Sequence, residues 1–160
     1  MTGRILTEDL VRRAINLATP SINAVLTDKD TVWGPRWVAV AVSGAGLEQP
    51  ITAIVGQVEQ WKAEWGEQKD FREIALAKAS LAERTGMPTQ VVVYRHPWLL
   101  QEGDFLFQGG IATEPGGLTV TASGAYGETD EGISELVKAL IVMLCRLRVK
   151  QLKDAGVERL

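Results

Sequence analysis

The stretch from Phe105 to Leu136, FLFQGGIATEPGGLTVTASGAYGETDEGISEL, constrains the fold more than any other part of this sequence. Two short strands are predicted here, one from the run DFLFQ and one from the run that follows the glycine pair. Pro115 and Gly116 then supply the fixed φ and the positive φ of a type II turn. The partner strand, LTVTASG, alternates apolar and polar residues, which predicts one covered and one polar face. Thr129 is predicted to cap a final helix, so the pattern is typical of an antiparallel α+β fold.

The N-terminal segment predicts a helix followed by a loop. The helix begins near Thr7, whose hydroxyl can cap the free amides. We expect Pro20 to interrupt it, because proline lacks an amide proton and clashes with the preceding turn. The turn-rich residues from Asn23 to Pro35 predict an exposed loop.

Two strands are predicted next. Trp37 to Val42 is β-rich and apolar on both faces, which is typical of a well-covered strand. Ile51 to Val58 favours a second strand, antiparallel to the first, because only a short connection separates them. A helix is the alternative for this second segment, on the helical spacing of Ile54, Val58, Trp61 and Trp65.

The middle of the chain predicts one clear helix and an irregular connector. Apolar residues recur at helical spacing from Phe71 to Arg84, and Gly86 and Pro88 end the helix. Residues 89–101 mix a β-branched run with a short helix after Pro97.

The final helix indicates self-association. Leu140 to Cys145 is apolar all round, and in a chain of 160 residues this predicts that another subunit covers its outer face. Cys145 is the only cysteine and cannot form an internal disulfide, so we expect a reducing compartment. The first residues, MTGRILTEDLVRRA, indicate neither a signal peptide nor a membrane anchor. The cytoplasm is the expected location.

Composition limits the classes of protein that the chain can belong to. At 160 residues and 46% hydrophobic content, a single domain over 1–160 with a real core is expected. Seventeen Lys and Arg against twenty Asp and Glu give a formal charge of −3, with no basic patch of the kind that binds nucleic acid. We expect no nucleic-acid partner and no membrane partner.

Three segments carry a resemblance to a known family. ALAKAS, PWLLQEGDFLFQGGIA and LTVTASGAYGETDEGISEL resemble the GlcG/HbpS-like family, also called the haem-degrading domain family, which includes the C-terminal domain of PduO-type proteins. The matching features are Lys78-Ala79, the Gly-Gly-Ile step at residues 109–111, and the acidic helix start at Asp130-Glu131. The resemblance covers about half of the chain, and Ser43-Gly44-Ala45-Gly46 stands where the family has Asp-x-Gly-Gly.

The resemblance implies a fold, an assembly and a cofactor. Members resemble profilin, so we expect an antiparallel sheet of about five strands with N-terminal, central and C-terminal helices packed on it. They also form multimers, which implies a homo-oligomer here. Some bind haem, so haem is the cofactor that the resemblance implies.

Four residues are candidates for acid–base or ligand chemistry. Lys78 lies on the alanine-lined face of its helix, where its charge needs a partner, a ligand or water; the alternative is that it extends to the sheet edge. His96 is the only histidine, and it is either a haem ligand or base, or a surface-turn residue. Tyr126 and Glu128 precede a helix N-terminus, where free amides bind anions; capping is the alternative.

Five further residues are candidates for ligand contact. Gly109 and Gly110 allow a ligand to approach the backbone, although a glycine pair is as often a bulge. Trp33 and Trp37 bracket Arg36, and together they could form an aromatic and cationic wall for a planar ligand. Core or interface packing explains the tryptophans equally well.

Two functions follow as hypotheses. The first is a small-molecule-binding protein for haem or another planar aromatic ligand, in a pocket between sheet and helices near a subunit interface. The second is a cofactor-independent lyase or isomerase for a small aromatic or carbonyl compound, with acid–base chemistry by Lys78, His96, Tyr126 or Glu128. A third hypothesis is that the chain is an interaction subunit whose pocket is vestigial.

Overall fold

The structure is a computed structural model of the chain, and it describes residues 4–58 and 70–160. The elements in these ranges are, in chain order, α1 (Glu8–Thr27), β1 (Trp37–Ser43), β2 (Ile51–Gly56), α2 (Phe71–Thr85), α3 (Thr89–Arg95), a 3-10 turn (Pro97–Leu99), β3 (Gly110–Ala112), β4 (Thr119–Ser123) and α4 (Gly127–Asp154).

The strands of the described residues form one antiparallel sheet with the order β2-β1-β4-β3. In the register of its two central strands, Val40 of β1 lies opposite Ala53 of β2 and Ala122 of β4. The predicted antiparallel α+β fold is therefore confirmed, and residues 4–58 and 70–160 contribute four strands to the sheet where about five were expected. The preference for a strand at Ile51 is confirmed as well. Trp61 and Trp65, which favoured the helical alternative, lie outside the described residues.

Helices cover both faces of the sheet, because β1 is apolar on both. Val38, Val40 and Val42 point into the core that α1 and α4 share. The alternate residues Ala39 and Ala41 face the opposite side, where their small side chains let α2 pack closely. The result is three layers, with α1 and α4 on one side of the sheet and α2 on the other.

The polar face of β4 is covered rather than open. The predicted alternation is confirmed, but Thr119, Thr121 and Ser123 are all buried. The Thr121 hydroxyl donates to the carbonyl of Ala75 in α2 at 2.7 Å. Threonine suits this position because its hydroxyl satisfies a buried carbonyl of the helix above it.

The prediction that Pro20 interrupts the first helix is wrong. Helix α1 begins after its N-cap Thr7, as predicted, but it continues through Pro20 to Thr27, and the loop before β1 is correspondingly shorter. An internal proline costs about 3 kcal/mol. Burial of Ile22 and Leu26 beyond it stabilises the helix by about 1.5–3 kcal/mol for each side chain, which offsets that cost.

Helix α4 begins earlier than predicted. Tyr126 is its N-cap, and the Thr129 hydroxyl donates instead to the carbonyl of Thr31 at 2.8 Å, which ties α4 to the loop after α1. The apolar run within the helix is divided between two environments. Leu140 packs against the core of the same chain, whereas the Met143 side chain is 42% exposed.

The segment before β3 also differs from its prediction. Residues 89–95 are helical, and a 3-10 turn follows at Pro97 as expected. The run DFLFQ, predicted as a strand, lies outside the sheet. Asp104 holds it instead, because its carboxylate accepts from Arg84 at 2.7 Å and from the amide of Gln101 at 2.7 Å. Phe105 and Phe107 alternate in the sequence because both side chains line the same pocket. The segment itself does not pair with a strand.

Candidate functional site

A buried ion pair joins the central helix to the final helix. Lys78 of α2 and Asp130 of the first turn of α4 approach within 3.1 Å, from Nζ to Oδ2. Their side chains are 2% and 3% exposed. Lys78 Nζ also donates to the carbonyl of Ala122 in β4 at 3.1 Å. The lysine therefore reaches a specific partner, as its position on the alanine-lined face required.

Asp130 is fixed from the side opposite Lys78. Its Oδ1 atom accepts from the amide of Ala125 at 3.0 Å, at the point where β4 ends. One carboxylate oxygen is thus committed to the backbone and the other to the amine. The pair therefore has a defined geometry, with the carboxylate held by the loop between β4 and α4.

Gly109 packs directly against the pair. A Cβ atom at this position would lie 2.8 Å from Lys78 Nζ and 2.9 Å from Asp130 Cβ, and the glycine has φ +129°. Its carbonyl accepts from the Ser134 hydroxyl at 2.7 Å and from the amide of Ala122 at 3.0 Å. Because Gly109 has no side chain, its backbone can lie directly against the ion pair and cover one side of it.

Burial changes the pKa of both partners. Desolvation raises the pKa of Asp130 to about 6, against the opposing effects of the Lys78 charge and of hydrogen bonds from Lys78 and the backbone. Desolvation also lowers the pKa of Lys78, although the neighbouring carboxylate acts in the other direction. The two shifts bring the proton affinities of the pair closer together, so a proton can move between them more easily than between exposed groups.

A pocket of about 470 Å³ opens above the pair. Most of its wall is apolar or aromatic. It is lined by Trp33, Phe71, Ile74, Lys78, Phe105, Phe107, Gln108, Ser123, Gly124, Ala125, Tyr126, Gly127 and Asp130. The volume lies within the range of small-molecule sites, about 300–1,000 Å³, and such sites combine apolar walls with a few polar groups.

Aromatic rings build one wall of the pocket. Phe71 stands between two tryptophans, with ring centroids 6.2 Å from Trp33, edge to face, and 4.7 Å from Trp37. The Trp33 indole N–H donates to the carbonyl of Ala125 at 3.2 Å, which fixes that ring at the rim. Phe105 and Phe107 are in contact with each other, with centroids 5.2 Å apart. These rings present the flat apolar surfaces against which aromatic ligands pack.

The structure brings several of the predicted site residues together. Lys78, Tyr126 and Trp33 line the pocket, and Gly109 packs behind its floor. Trp37 is buried and supports Phe71 from behind.

The other predicted residues are not part of the pocket lining. His96 packs against Trp98 with ring centroids 5.2 Å apart. Arg36 and Glu128 are exposed. The amide of Gly110, at the start of β3, donates to the Thr89 hydroxyl at 3.1 Å, which is a structural contact.

Most residues of the pocket lining were not predicted as site residues, and three of them show why. The sequence pattern places Asp130 only at the start of a helix and Phe107 only in a strand. It does not single out Gln108, whose side-chain amide donates to Glu131 at 3.3 Å. A signal for Asp130 did exist, because Lys78 on an alanine-lined face requires a partner and Asp130 begins the one helix that the resemblance marks as acidic. Phe107 and Gln108 carry no comparable pattern.

Metal clusters and membrane-spanning helices are both absent from the described residues. No group of three or more His, Cys, Asp or Glu residues is placed to hold a metal ion among residues 4–58 and 70–160. In the same part of the chain, no helix combines the length and the apolar character needed to cross a membrane.

Comparison with known proteins supports the fold. No protein-family model and no curated protein matches the sequence. Among solved structures, the chain is similar to the crystal structure of Klebsiella pneumoniae protein ORFY, which is described by the family model DUF336. The match covers 87% of this chain and 90% of that chain, with a TM-score of 0.55 and 17% sequence identity. At this identity the likeness shows a shared fold.

Proposed function

We propose that this chain is a small-molecule-binding protein whose ligand is a planar aromatic compound with a carbonyl group. The observation that carries the proposal is an apolar, ring-lined pocket that ends on a desolvated Lys78–Asp130 pair. A buried charged pair contributes little to stability compared with apolar residues of the same size. Its position at the floor of a pocket therefore favours a role in recognition.

The walls favour a flat ligand. Trp33, Phe71 and Phe107 present rings toward the same space, and offset or edge-to-face packing of a ligand ring adds about 0.5–1.5 kcal/mol beyond the burial of its area. The volume of about 470 Å³ accommodates a ligand of two or three fused rings.

The floor favours an uncharged acceptor. Lys78 donates to Ala122 and Asp130, and an ammonium carries a third proton that can be given to a ligand oxygen. Lys78 and Asp130 are the only charged residues of the lining among the described residues, and their charges cancel. A ligand carboxylate would enter without a counter-charge, whereas a ketone or aldehyde oxygen would not need one.

The residues of the pocket do not fit a histidine-ligated haem. His96 is not part of the lining, and the described lining residues include no His, Cys or Met to bind the iron. Tyr126 is the one phenol there. Haem binding stays a prediction of the family resemblance, and we favour a metal-free aromatic ligand for this pocket.

Membership of the GlcG/HbpS-like family is part of the proposal. The quoted sequence segments and the fold shared with the DUF336 protein ORFY support it independently. A cytoplasmic location is also proposed, since Cys145 is a free thiol.

Self-association through α4 completes the proposal. Ala139, Met143 and Leu147 lie along one outward side of α4, so two copies that pack antiparallel about a two-fold axis bring these apolar side chains together. The same surface patch then meets itself, as an isologous interface requires. Met143 would supply the apolar centre of this interface.

A second function, a cofactor-independent isomerase or lyase, is favoured by the pKa shifts of the pair. With its pKa raised to about 6, Asp130 is a stronger base than an ordinary aspartate and still ionises near neutral pH. Lys78 can donate a proton to a ligand oxygen on the same side. Together they could move a proton from the carbon next to a carbonyl group.

Calorimetric titration with three related naphthalenes tests the binding function. We expect 2-acetylnaphthalene to bind more tightly than 2-ethylnaphthalene, which lacks the acceptor, and than 2-naphthoate, which carries a charge. Equal binding of the three, or tightest binding of the carboxylate, would contradict the proposed ligand class.

A pair of neighbouring variants localises the binding. Phe107 lines the pocket and is 64% exposed, whereas Leu106 is 58% exposed and lies outside the lining. Phe107→Ala should weaken binding about tenfold, which corresponds to about 1.4 kcal/mol. Leu106→Ala is the matched control and should leave the affinity unchanged.

Deuterium exchange tests the second function. In D₂O, wild-type protein should accelerate incorporation of deuterium into the acetyl methyl group of 2-acetylnaphthalene, and Asp130→Asn should not. If the wild-type protein binds 2-acetylnaphthalene but does not accelerate deuterium incorporation, the second function is refuted and the binding function stands.

A further inference from the structure

The floor of the pocket holds a primary amine in an unusual setting. Lys78 Nζ is removed from bulk water, faces a ring-lined cavity and lies 3.1 Å from a carboxylate. Lysines that react covalently with carbonyl compounds share this setting, because a low-polarity pocket favours the neutral, nucleophilic amine.

We propose that Lys78 forms an imine with aromatic aldehydes that enter the pocket. This inference rests on the proposed ligand class and adds a covalent step to it. The Nζ lone pair of the neutral amine attacks the aldehyde carbon, a C–N bond forms as the C=O π bond breaks, and one proton passes from nitrogen to the carbonyl oxygen to give a carbinolamine. A second proton then passes from nitrogen to that oxygen, the C–O bond breaks, and water leaves as C=N forms. Amine and aldehyde are thus converted to imine and water, and no oxidant or reductant is needed.

Asp130 is placed to carry the protons of this step. Its Oδ2 atom contacts the amine, while Oδ1 is held by the amide of Ala125. The carboxylate can accept a proton as the amine becomes nucleophilic and return it to the departing hydroxyl. Its raised pKa of about 6 suits both directions of transfer near neutral pH.

Backbone contacts orient the amine. The carbonyl of Ala122 accepts from Nζ at 3.1 Å, and Gly109 fills the space behind it without a side chain. Because these groups enclose the nitrogen on the protein side, an aldehyde must approach from the pocket. The aromatic wall then holds the ring of the aldehyde while the carbonyl carbon meets Nζ.

Surface lysines provide an internal comparison. Lys150 is exposed and pairs with Asp154 within α4 at 2.9 Å. Each unit by which the pKa of a lysine falls increases its neutral fraction about tenfold near pH 7. Lys78, whose pKa is lowered by burial, should therefore react before Lys150 does.

The test is reductive trapping with 2-naphthaldehyde and sodium cyanoborohydride, followed by peptide mass spectrometry. We expect one naphthylmethyl group per chain on the Lys78 peptide, formed before label appears on the Lys150 peptide. Lys78→Arg should abolish this product, and Lys150→Arg, the matched control, should leave it unchanged. Labelling spread evenly over surface lysines with Lys78 unmodified would overturn the inference.

Two measurements on the wild-type chain guard against misfolded variants. An excess of 2-acetylnaphthalene should protect Lys78 from trapping without protecting Lys150. If 2-acetylnaphthalene binds in the calorimeter while Lys78 is never trapped, the imine inference fails and the binding function stands. If 2-acetylnaphthalene does not bind and Lys78 is not trapped, both fail.

Discussion

Replacing Lys78 by Met should make the stability of the protein depend on pH through Asp130. The substitution removes the positive charge and the hydrogen bond that lower the pKa of Asp130 and leaves the desolvation that raises it. The pKa of Asp130 in the folded variant must therefore lie above the value of about 6 that it has beside Lys78. In the unfolded chain it returns to 3.8.

The size of the effect follows from these two values. A carboxyl group whose pKa is raised by folding contributes stability that is fully present below pH 3.8 and is lost as the pH rises through the folded pKa. The difference between about 6 and 3.8, at 1.36 kcal/mol for each pKa unit, gives a loss of about 3 kcal/mol or more between pH 4 and pH 8.

The double variant Lys78→Met/Asp130→Asn is the matched control. The asparagine side chain keeps an oxygen for the amide of Ala125 but has no proton to lose, and Lys78 is absent from both proteins, so its own titration cancels. Urea unfolding followed by tryptophan fluorescence should show the two variants diverging by about 3 kcal/mol between pH 4 and pH 8. A difference that stays constant across this range would refute the desolvation of Asp130.

Three further changes have expected outcomes. Gly109→Ala should lower the free energy of unfolding by at least about 1 kcal/mol more than Gly116→Ala, measured by urea unfolding, because both glycines have positive φ but only Gly109 has atoms within 3 Å of the added Cβ. Met143→Asp should convert an oligomer to monomers in light scattering while the monomers stay folded, whereas a wild-type monomer would refute the α4 interface. Asp104→Asn should weaken binding of 2-acetylnaphthalene, since Arg84 no longer holds the segment that carries Phe105; its effect on stability should stay below about 1 kcal/mol, and unchanged affinity would contradict this role.

The spacing of apolar residues along each segment predicted the sheet and the helices, because that spacing reflects which side chains are buried. The unbroken apolar run from Trp37 to Val42 can only be a strand covered on both faces, and the structure confirms it. The final helix and the hairpin before it were also predicted, although α4 begins earlier than its predicted cap Thr129. The local penalty of Pro20 predicts the end of a helix, but the tertiary burial of Ile22 offsets that penalty.

The site was only partly predictable, because its members come from distant parts of the chain. The need of Lys78 for a partner was evident from its helical face, but its pairing with Asp130 depends on how α2 and α4 meet across β4. Phe107 was read as part of a strand because alternation in sequence does not distinguish a paired strand from an extended segment held by side chains. A pattern read along one segment contains no information about such contacts.

The most direct test of the proposed ligand class is a crystal structure of the protein with 2-acetylnaphthalene. We expect the ring system to lie between Trp33, Phe71 and Phe107, with the ketone oxygen within hydrogen-bonding distance of Lys78 Nζ. A ligand bound with its ketone toward solvent, or at another surface such as that of Trp98, would contradict the proposed function.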